Sequence, residues 1–173
     1  MPRYDLPNAA PEPLRLVQRL VNTVDFERDR DWLGDFLAEE DVSATPAELE
    51  GVRRTREAIR ELLYANNHQP FEGDPYGVLR EAADRARFTL DLAAPAVVAD
   101  APGVDGLLGR VLAVAYGAMI DGTWHRLKAC RNHGCRWAFY DQSRNRSASW
   151  CSMQLCGNRT KTRAYRRRHG ATE

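Results

Sequence analysis

The first 122 residues read as a succession of apolar stripes at helical spacing. Leu14, Val17, Leu20, Val21 and Val24 recur every three or four positions behind Pro11 and Pro13, which predicts a first amphipathic helix reaching Val24. A short second one carries Trp32, Leu33, Phe36 and Leu37. The third has the clearest start in the chain, with Thr45 as N-cap, Pro46 at the first helical position and Glu48 completing a capping box. Its stripe continues through Leu49, Val52, Ile59, Leu62 and Leu63. Asp74-Pro75 repeats the cap-then-proline signal ahead of Val78, Leu79, Ala82, Ala83 and Ala86. The period then changes. FTLDL alternates, AVVAD is rich in β-formers and Pro95 lies between them, so residues 88–100 are expected to form a short hairpin. From about Val104 to Ile120 the helical period returns, with Leu107, Leu108, Val111, Leu112, Ala115 and Met119 expected to face inward and Gly122 to end the helix. These stripes, with Trp32 and Trp124, are expected to be core. The fold class expected is mainly α with a short β-hairpin.

Charge marks where this pattern stops. Residues 126–173 hold twelve Arg and Lys side chains against only Asp141 and Glu173, a net charge of +10, whereas the remaining residues carry 13 basic and 22 acidic side chains, a net −9. The whole-chain value of +1 hides this split. Such asymmetry divides the chain into a helical domain, 1–122, and a basic module, 123–173, suited to meeting a polyanion.

The most apolar run, Val111 to Ile120, stops at Asp121, short of the roughly 20 residues a bilayer requires. The N-terminus lacks the apolar stretch of a signal peptide. A cytoplasmic location is therefore expected, where thiols stay reduced and paired cysteines point to metal. The first 122 residues have no cysteine, only His68, and scattered carboxylates such as Glu72 and Asp74 beside one glycine. No catalytic constellation is visible there, and the chain is not expected to be an enzyme.

The cysteines fall as Cys130-x4-Cys135 and Cys151-x4-Cys156, fifteen residues apart. Two close pairs joined by a short span suit a tetrahedral zinc site, each pair in a tight turn and the intervening chain folded back. Ferredoxin-like spacing is absent. His133, between the first pair, is a weaker candidate ligand. Four protein ligands leave no position open for water, so one zinc ion in a structural role is expected. RWAFYD reads as a strand, SRNRSAS as a polar turn carrying Arg144 and Arg146, and a helix is expected from residue 152 or 158 through Arg168, with Asn158 as cap for the later start. Treble-clef and ribbon-like fingers, both α+β, fit this order. On the helix Arg159, Arg163 and Arg167 recur at i, i+4 and i+8 with Arg166 alongside, while Lys161 and Arg168 flank Tyr165. Like charges at that spacing destabilise an isolated helix, which an external anion relieves. Arginine also suits bidentate phosphate contacts.

The stretch CRNHGCRWAFYDQSRNRSASWCSMQLCGNRTKTRAYRRR strongly resembles the CGNR zinc-finger family, whose name is spelled by Cys156-Gly157-Asn158-Arg159. Upstream, LVNTVDFE (20–27) resembles the start of the ABATE domain that usually precedes this finger. The resemblance covers nearly the whole chain, most strongly its last quarter. It implies a stress-induced transcriptional regulator, metal ligands at Cys130, Cys135, Cys151 and Cys156, and basic contacts at Arg144, Arg159, Lys161 and Arg163. Members often carry more arginine before the Trp150-Cys151 step, where this chain has Ser147-Ala148-Ser149 and so loses phosphate contacts from the turn.

The reading is a zinc-containing, DNA-binding transcriptional regulator. RNA is the other nucleic acid considered, since Trp150 and Tyr165 could stack on bases. The helical domain is expected to form a homodimer or to sense a small-molecule effector, and no membrane partner is expected. The competing reading is a zinc-thiolate protein-interaction or redox-sensing module with no direct DNA binding.

Overall fold

The computed structural model describes residues 8–70 and 72–158. Helices α1 (Arg15–Val21), α2 (Leu33–Glu39), α3 (Pro46–Asn66), α4 (Pro75–Ala86) and α5 (Gly103–Ile120) alternate with three antiparallel strand pairs. These are β1 (Val24–Asp25) with β2 (Arg30–Asp31), β3 (Phe88–Asp91) with β4 (Ala96–Ala99), and β5 (Leu127–Ala129) with β6 (Ala138–Tyr140). The layout is α+β, predominantly helical.

The 21-residue α3 is the axis of the molecule and packs against α1, α4, α5 and β5. It begins as its sequence dictates: the Thr45 hydroxyl accepts from the Glu48 N–H, and the Glu48 carboxylate accepts from the Thr45 N–H, closing the capping box. Asp74 likewise caps α4, its side chain accepting from the Gly77 N–H. The expected hairpin at 88–100 is present as β3–β4, with Leu90 opposite Val97. Val17, Leu20, Val21, Phe36, Val52, Ile59, Leu63, Leu107 and Val111 form the centre of the core. Each contributes about 1.5–3 kcal/mol by leaving water.

Two local expectations are corrected, and one element is new. The first helix ends at Val21, and Val24 belongs to β1, because the chain turns at Asn22 and Thr23 to pair residues 24–25 with 30–31. Met119 is exposed on α5, whose final turn extends past the core while Ala115 and Ala118 stay buried. β5, in a segment given no element by its pattern, is buried throughout, Lys128 included. By length and composition α5 also reaches what a membrane crossing requires, an 18-residue window of mean hydropathy 1.4. Here it is a core helix, with Val104, Leu107, Leu108 and Val111 buried against its neighbours.

The strand pair β5–β6 grows directly out of the helical core. Leu127, Ala129 and Ala138 lie in the same apolar cluster as α1, α3 and α5. A smaller cluster of Cys130, Phe139, Cys151 and Cys156 sits at its far end. Trp124, buried in the turn Trp124–Arg126, closes the junction between α5 and β5.

Candidate metal centre

Ala129 and Ala138 are the last paired residues of β5–β6, and the eight residues between them form a knuckle that presents Cys130 and Cys135. Asn132 shapes it. Its backbone carbonyl accepts from the N–H groups of Cys135 and Arg136, and its side-chain oxygen accepts from Gly134 N–H. Arg136 takes a positive φ of 58°, which turns the chain out of the knuckle. The second pair arrives on a different scaffold. Ser152 caps a wide helical turn, Met153–Gly157, its hydroxyl accepting from Leu155 N–H, so the helical segment starts at the earlier of the two expected positions and Asn158 is already helical. Cys151 directly precedes the cap and Cys156 lies within the turn. A ligand pair at a helix start, rather than in a second strand-to-strand knuckle, favours the treble-clef order over the ribbon.

All four Sγ atoms lie within 4.8 Å of one another, with Cys135–Cys151 at 3.6 Å and Cys151–Cys156 at 3.7 Å. A tetrahedral zinc with Zn–S bonds of about 2.3 Å sets its sulfurs about 3.8 Å apart, whereas a disulfide requires about 2.05 Å. The spacing is that of ligands around an ion. Cys130, Cys151 and Cys156 are buried and Cys135 is half-buried. Donors also surround the sulfurs: the Asn132 side-chain amide reaches Cys156 Sγ at 3.5 Å, and N–H groups of Asn132 and Cys151 point at Cys130. The indole N–H groups of Trp137 and Trp150 are buried beside the cluster and make no hydrogen bond. Without a cation the thiols oppose one another. Hydrogen bonds from Cys135 and Cys151 pull the Cys130 thiol far down, and that thiolate pushes Cys135 and Cys151 up. A divalent ion lets all four ionise together. His133 is exposed and stands outside this set.

The basic residues of the module divide into two kinds. Lys128 is buried against Asp141 at 2.7 Å, and its ammonium also donates to the carbonyls of Arg146 and Ala148. Burial alone would raise the Asp141 carboxyl, but the hydrogen bonds from Lys128 and then Ser143 outweigh it and hold it below its ordinary value. Together they fix the polar turn on which Arg144 and Arg146 are exposed. Arg126 donates to the carbonyls of Asp141 and Ser143, and Arg131 to that of Asn67. Arg136 lies 4.5 Å from the Phe26 ring and donates to the Tyr64 hydroxyl. Four of the twelve basic side chains counted in the charge asymmetry therefore hold the module together. Arg159, Lys161, Arg163, Arg166, Arg167 and Arg168, with Tyr165, lie outside the described residues. Trp150 is half-buried against the cysteine cluster.

The structural pair Lys128–Asp141 and the shaping residue Asn132 escaped the sequence reading. The Asn-His-Gly step in the knuckle was the available signal for Asn132, since asparagine two residues before glycine is a common turn former. Lys128 gave none.

The comparisons agree with this geometry. A CGNR zinc finger model matches residues 126–169. The ABATE model, described as "Putative stress-induced transcription regulator", matches residues 14–122. No curated protein matches the chain. Four thiolates so placed in a finger of this kind hold one structural zinc ion. The chain belongs to the ABATE family and carries a CGNR zinc finger at its C-terminal end.

Proposed function

We propose that this protein is a nucleic-acid-binding transcriptional regulator acting on duplex DNA through the face of its zinc module. The observation that carries the reading is the buried Lys128–Asp141 pair, which fixes a polar turn so that Arg144 and Arg146 stand in solvent. The zinc site beside it sets where the chain toward Arg159, Lys161, Arg163, Arg166, Arg167 and Arg168 begins. The arginines would contact phosphates, with one or two free to read base edges. The family descriptions name a regulator rather than an enzyme. A location in the cytoplasm accords with this role.

Fluorescence anisotropy of the zinc-loaded protein with a mixed-sequence duplex, titrated at several salt concentrations, tests it. Neutralising about five phosphates gives a log–log slope near −4.5. Replacing Arg159, Arg163 and Arg167 together by Ala flattens that slope, and Arg144→Ala with Arg146→Ala reduces it further. Absence of binding at low salt would sink the DNA reading and direct the same titration to single-stranded RNA.

One observation favours the second reading, a redox-sensing zinc module. The least buried thiolate, Cys135, lies only 3.6 Å from Cys151. Peroxide would oxidise this pair to a disulfide, itself reduced to water, and the ion would leave. Zinc release at stoichiometric peroxide, read with a chromogenic chelator, supports that reading, and retention of zinc rejects it.

A further inference from the structure

The β3–β4 hairpin packs against α5 through β4. At its base Ala99 and Ala86 press on Gly109, where a β-carbon would collide with both. Leu90 and Val97 lie on the same hairpin face as Ala99, so they too are directed at α5. Toward the tip a cleft lies between hairpin residues such as Leu90 and Val97 and α5 residues such as Tyr116 and Gly117. Leu90 remains 72% exposed, and Tyr116 and Ile120 on α5 remain 56% and 73% exposed. Gly117 lies between them, and a β-carbon there would meet nothing within 4 Å. The result is a wedge-shaped cleft of about 670 Å³, closed on its third side by Pro11, Pro13 and Leu14.

Most of the cleft's lining residues are apolar, and those charged at neutral pH are all carboxylates: Glu12, Asp91 and Asp121. Glu12 faces Arg15 at 3.6 Å. Asp91 commits one carboxylate oxygen to the N–H groups of Ala93 and Ala94, and Asp121 commits one to Thr123. Neither has a cationic partner among the described residues.

We propose that this cleft binds an elongated apolar molecule ending in a positive charge, such as a lipophilic amine or quaternary ammonium. Its volume lies in the range of small-molecule sites, which runs from about 300 to 1,000 Å³. Its exposed apolar walls gain from being covered. The Asp91 and Asp121 carboxylates, with no cationic partner among the described residues, select a cation and repel an anion, and the Tyr116 ring adds an aromatic surface of the kind cations favour. A second copy of the chain fits less well, because a two-fold contact would bring the same acids together from both sides.

Isothermal titration of the zinc-loaded full chain with decyltrimethylammonium and with decanoate, both below their micellar concentrations, tests the proposal. The cation is expected to bind at least about tenfold tighter than the anion of equal chain length. Gly117→Leu, placed in open space, should fill the wedge and weaken the cation by about tenfold or more. Asp91→Asn combined with Asp121→Asn keeps the turn hydrogen bonds and should bring the two ligands within about threefold of each other. The double variant carries the test alone if Gly117→Leu fails to fold. Equal affinities for the two ligands, or a cation affinity indifferent to both changes, overturn the proposal. So does a dimer in sedimentation that Gly117→Leu dissociates, which would assign the face to a second copy.

Discussion

The guanidinium of Arg60, wholly buried in the middle of α3, donates to the backbone carbonyl of Arg136 at 2.8 Å, one residue beyond the metal ligand Cys135. Its other terminal nitrogen donates to the Val21 carbonyl at 2.6 Å, where α1 ends, and its Nε donates to Glu57 at 2.9 Å. The Phe26 ring lies 5.0 Å from the same guanidinium and stacks Arg136 on its own account. One side chain thus ties α1, α3, the β1–β2 turn and the metal knuckle together. Burial lowers the Arg60 pKa, and Glu57 opposes that shift.

Arg60→Ala is therefore expected to cost about 2–4 kcal/mol, because it strands the Val21 and Arg136 carbonyls, while Glu57 keeps Arg56 as its partner. Urea unfolding measures this. The same variant should lose zinc to a chelator faster than the native chain does, since Arg136 O anchors the knuckle. Arg54→Ala, which removes only an exposed pair with Glu81, is the control and should stay within about 0.5 kcal/mol.

Asn22 performs for β6 what a neighbouring strand would. Its side chain accepts from Ala138 N–H at 2.7 Å and donates to Ala138 O at 2.8 Å, and Gln18 donates to the same carbonyl. On the far side Asn67 donates to the carbonyls of Ala129 and Ser149. Asn22→Ala is expected to destabilise the chain by about 2 kcal/mol, because it leaves a buried N–H without an acceptor. Asn22→Asp restores only the acceptor and should recover little at neutral pH, where it adds a buried charge. Thermal unfolding of the two variants distinguishes these outcomes.

Where one rule acted alone, the pattern of residues sufficed. Thr45, Pro46 and Glu48 state a helix start locally, and the four cysteines state a metal site by spacing. What stayed hidden depends on partners distant in sequence. Arg56 and Arg60 lie on the stripe of Val52, Ile59 and Leu63, and Gln18 and Asn22 on that of Leu14, Val17 and Val21. Read by type they look solvent-exposed, yet they are buried: Arg60, Gln18 and Asn22 meet backbone groups that the finger brings to them, and Arg56 donates to Asp31, Glu57 and the Thr23 hydroxyl. Polar residues interrupting an apolar stripe at helical spacing were the signal that another element docks there. The β1–β2 pair, with two residues per strand, is too short to show any alternation.

Because β5 and β6 belong to the helical core while the ligands occupy the loops beyond them, metal removal should loosen the module unevenly. Hydrogen exchange on the chelator-treated protein is expected to lose protection at 130–137 and 148–158 and to retain it at Leu127 and Ala129. Substituting Ser at Cys130, Cys135, Cys151 or Cys156 should reproduce the pattern and lower bound zinc from one ion per chain, measured by elemental analysis. Uniform loss of protection through α3 would show that the metal supports the core as well.

Acid should act on Asp31, which holds α3 to β2, and on Glu57, which braces Arg56 and Arg60 within α3. Burial alone would raise the Asp31 carboxyl, but the hydrogen bond and charge of Arg56, with the Leu33 N–H and Arg53, outweigh it and leave it below the ordinary 3.8. Glu57 behaves alike: burial raises it, and Arg60 and Arg56 bring it below 4.5. A depressed folded pKa stabilises above the unfolded value, and that stabilisation disappears as pH falls through the folded one. These two groups therefore contribute nothing to any pH dependence between about 6 and 8, and their contribution is lost progressively below about pH 4. Asp31→Asn should cost about 1 kcal/mol at pH 7, since Arg56 keeps Glu57 and the Thr23 hydroxyl as partners. The same substitution should narrow the gap to the native chain as pH falls toward 3. Chemical unfolding at pH 7, 5 and 3 checks this, with chelator present throughout so that acid release of zinc does not contribute. A gap that stays constant over that range would show that the Asp31–Arg56 contact is not maintained in solution.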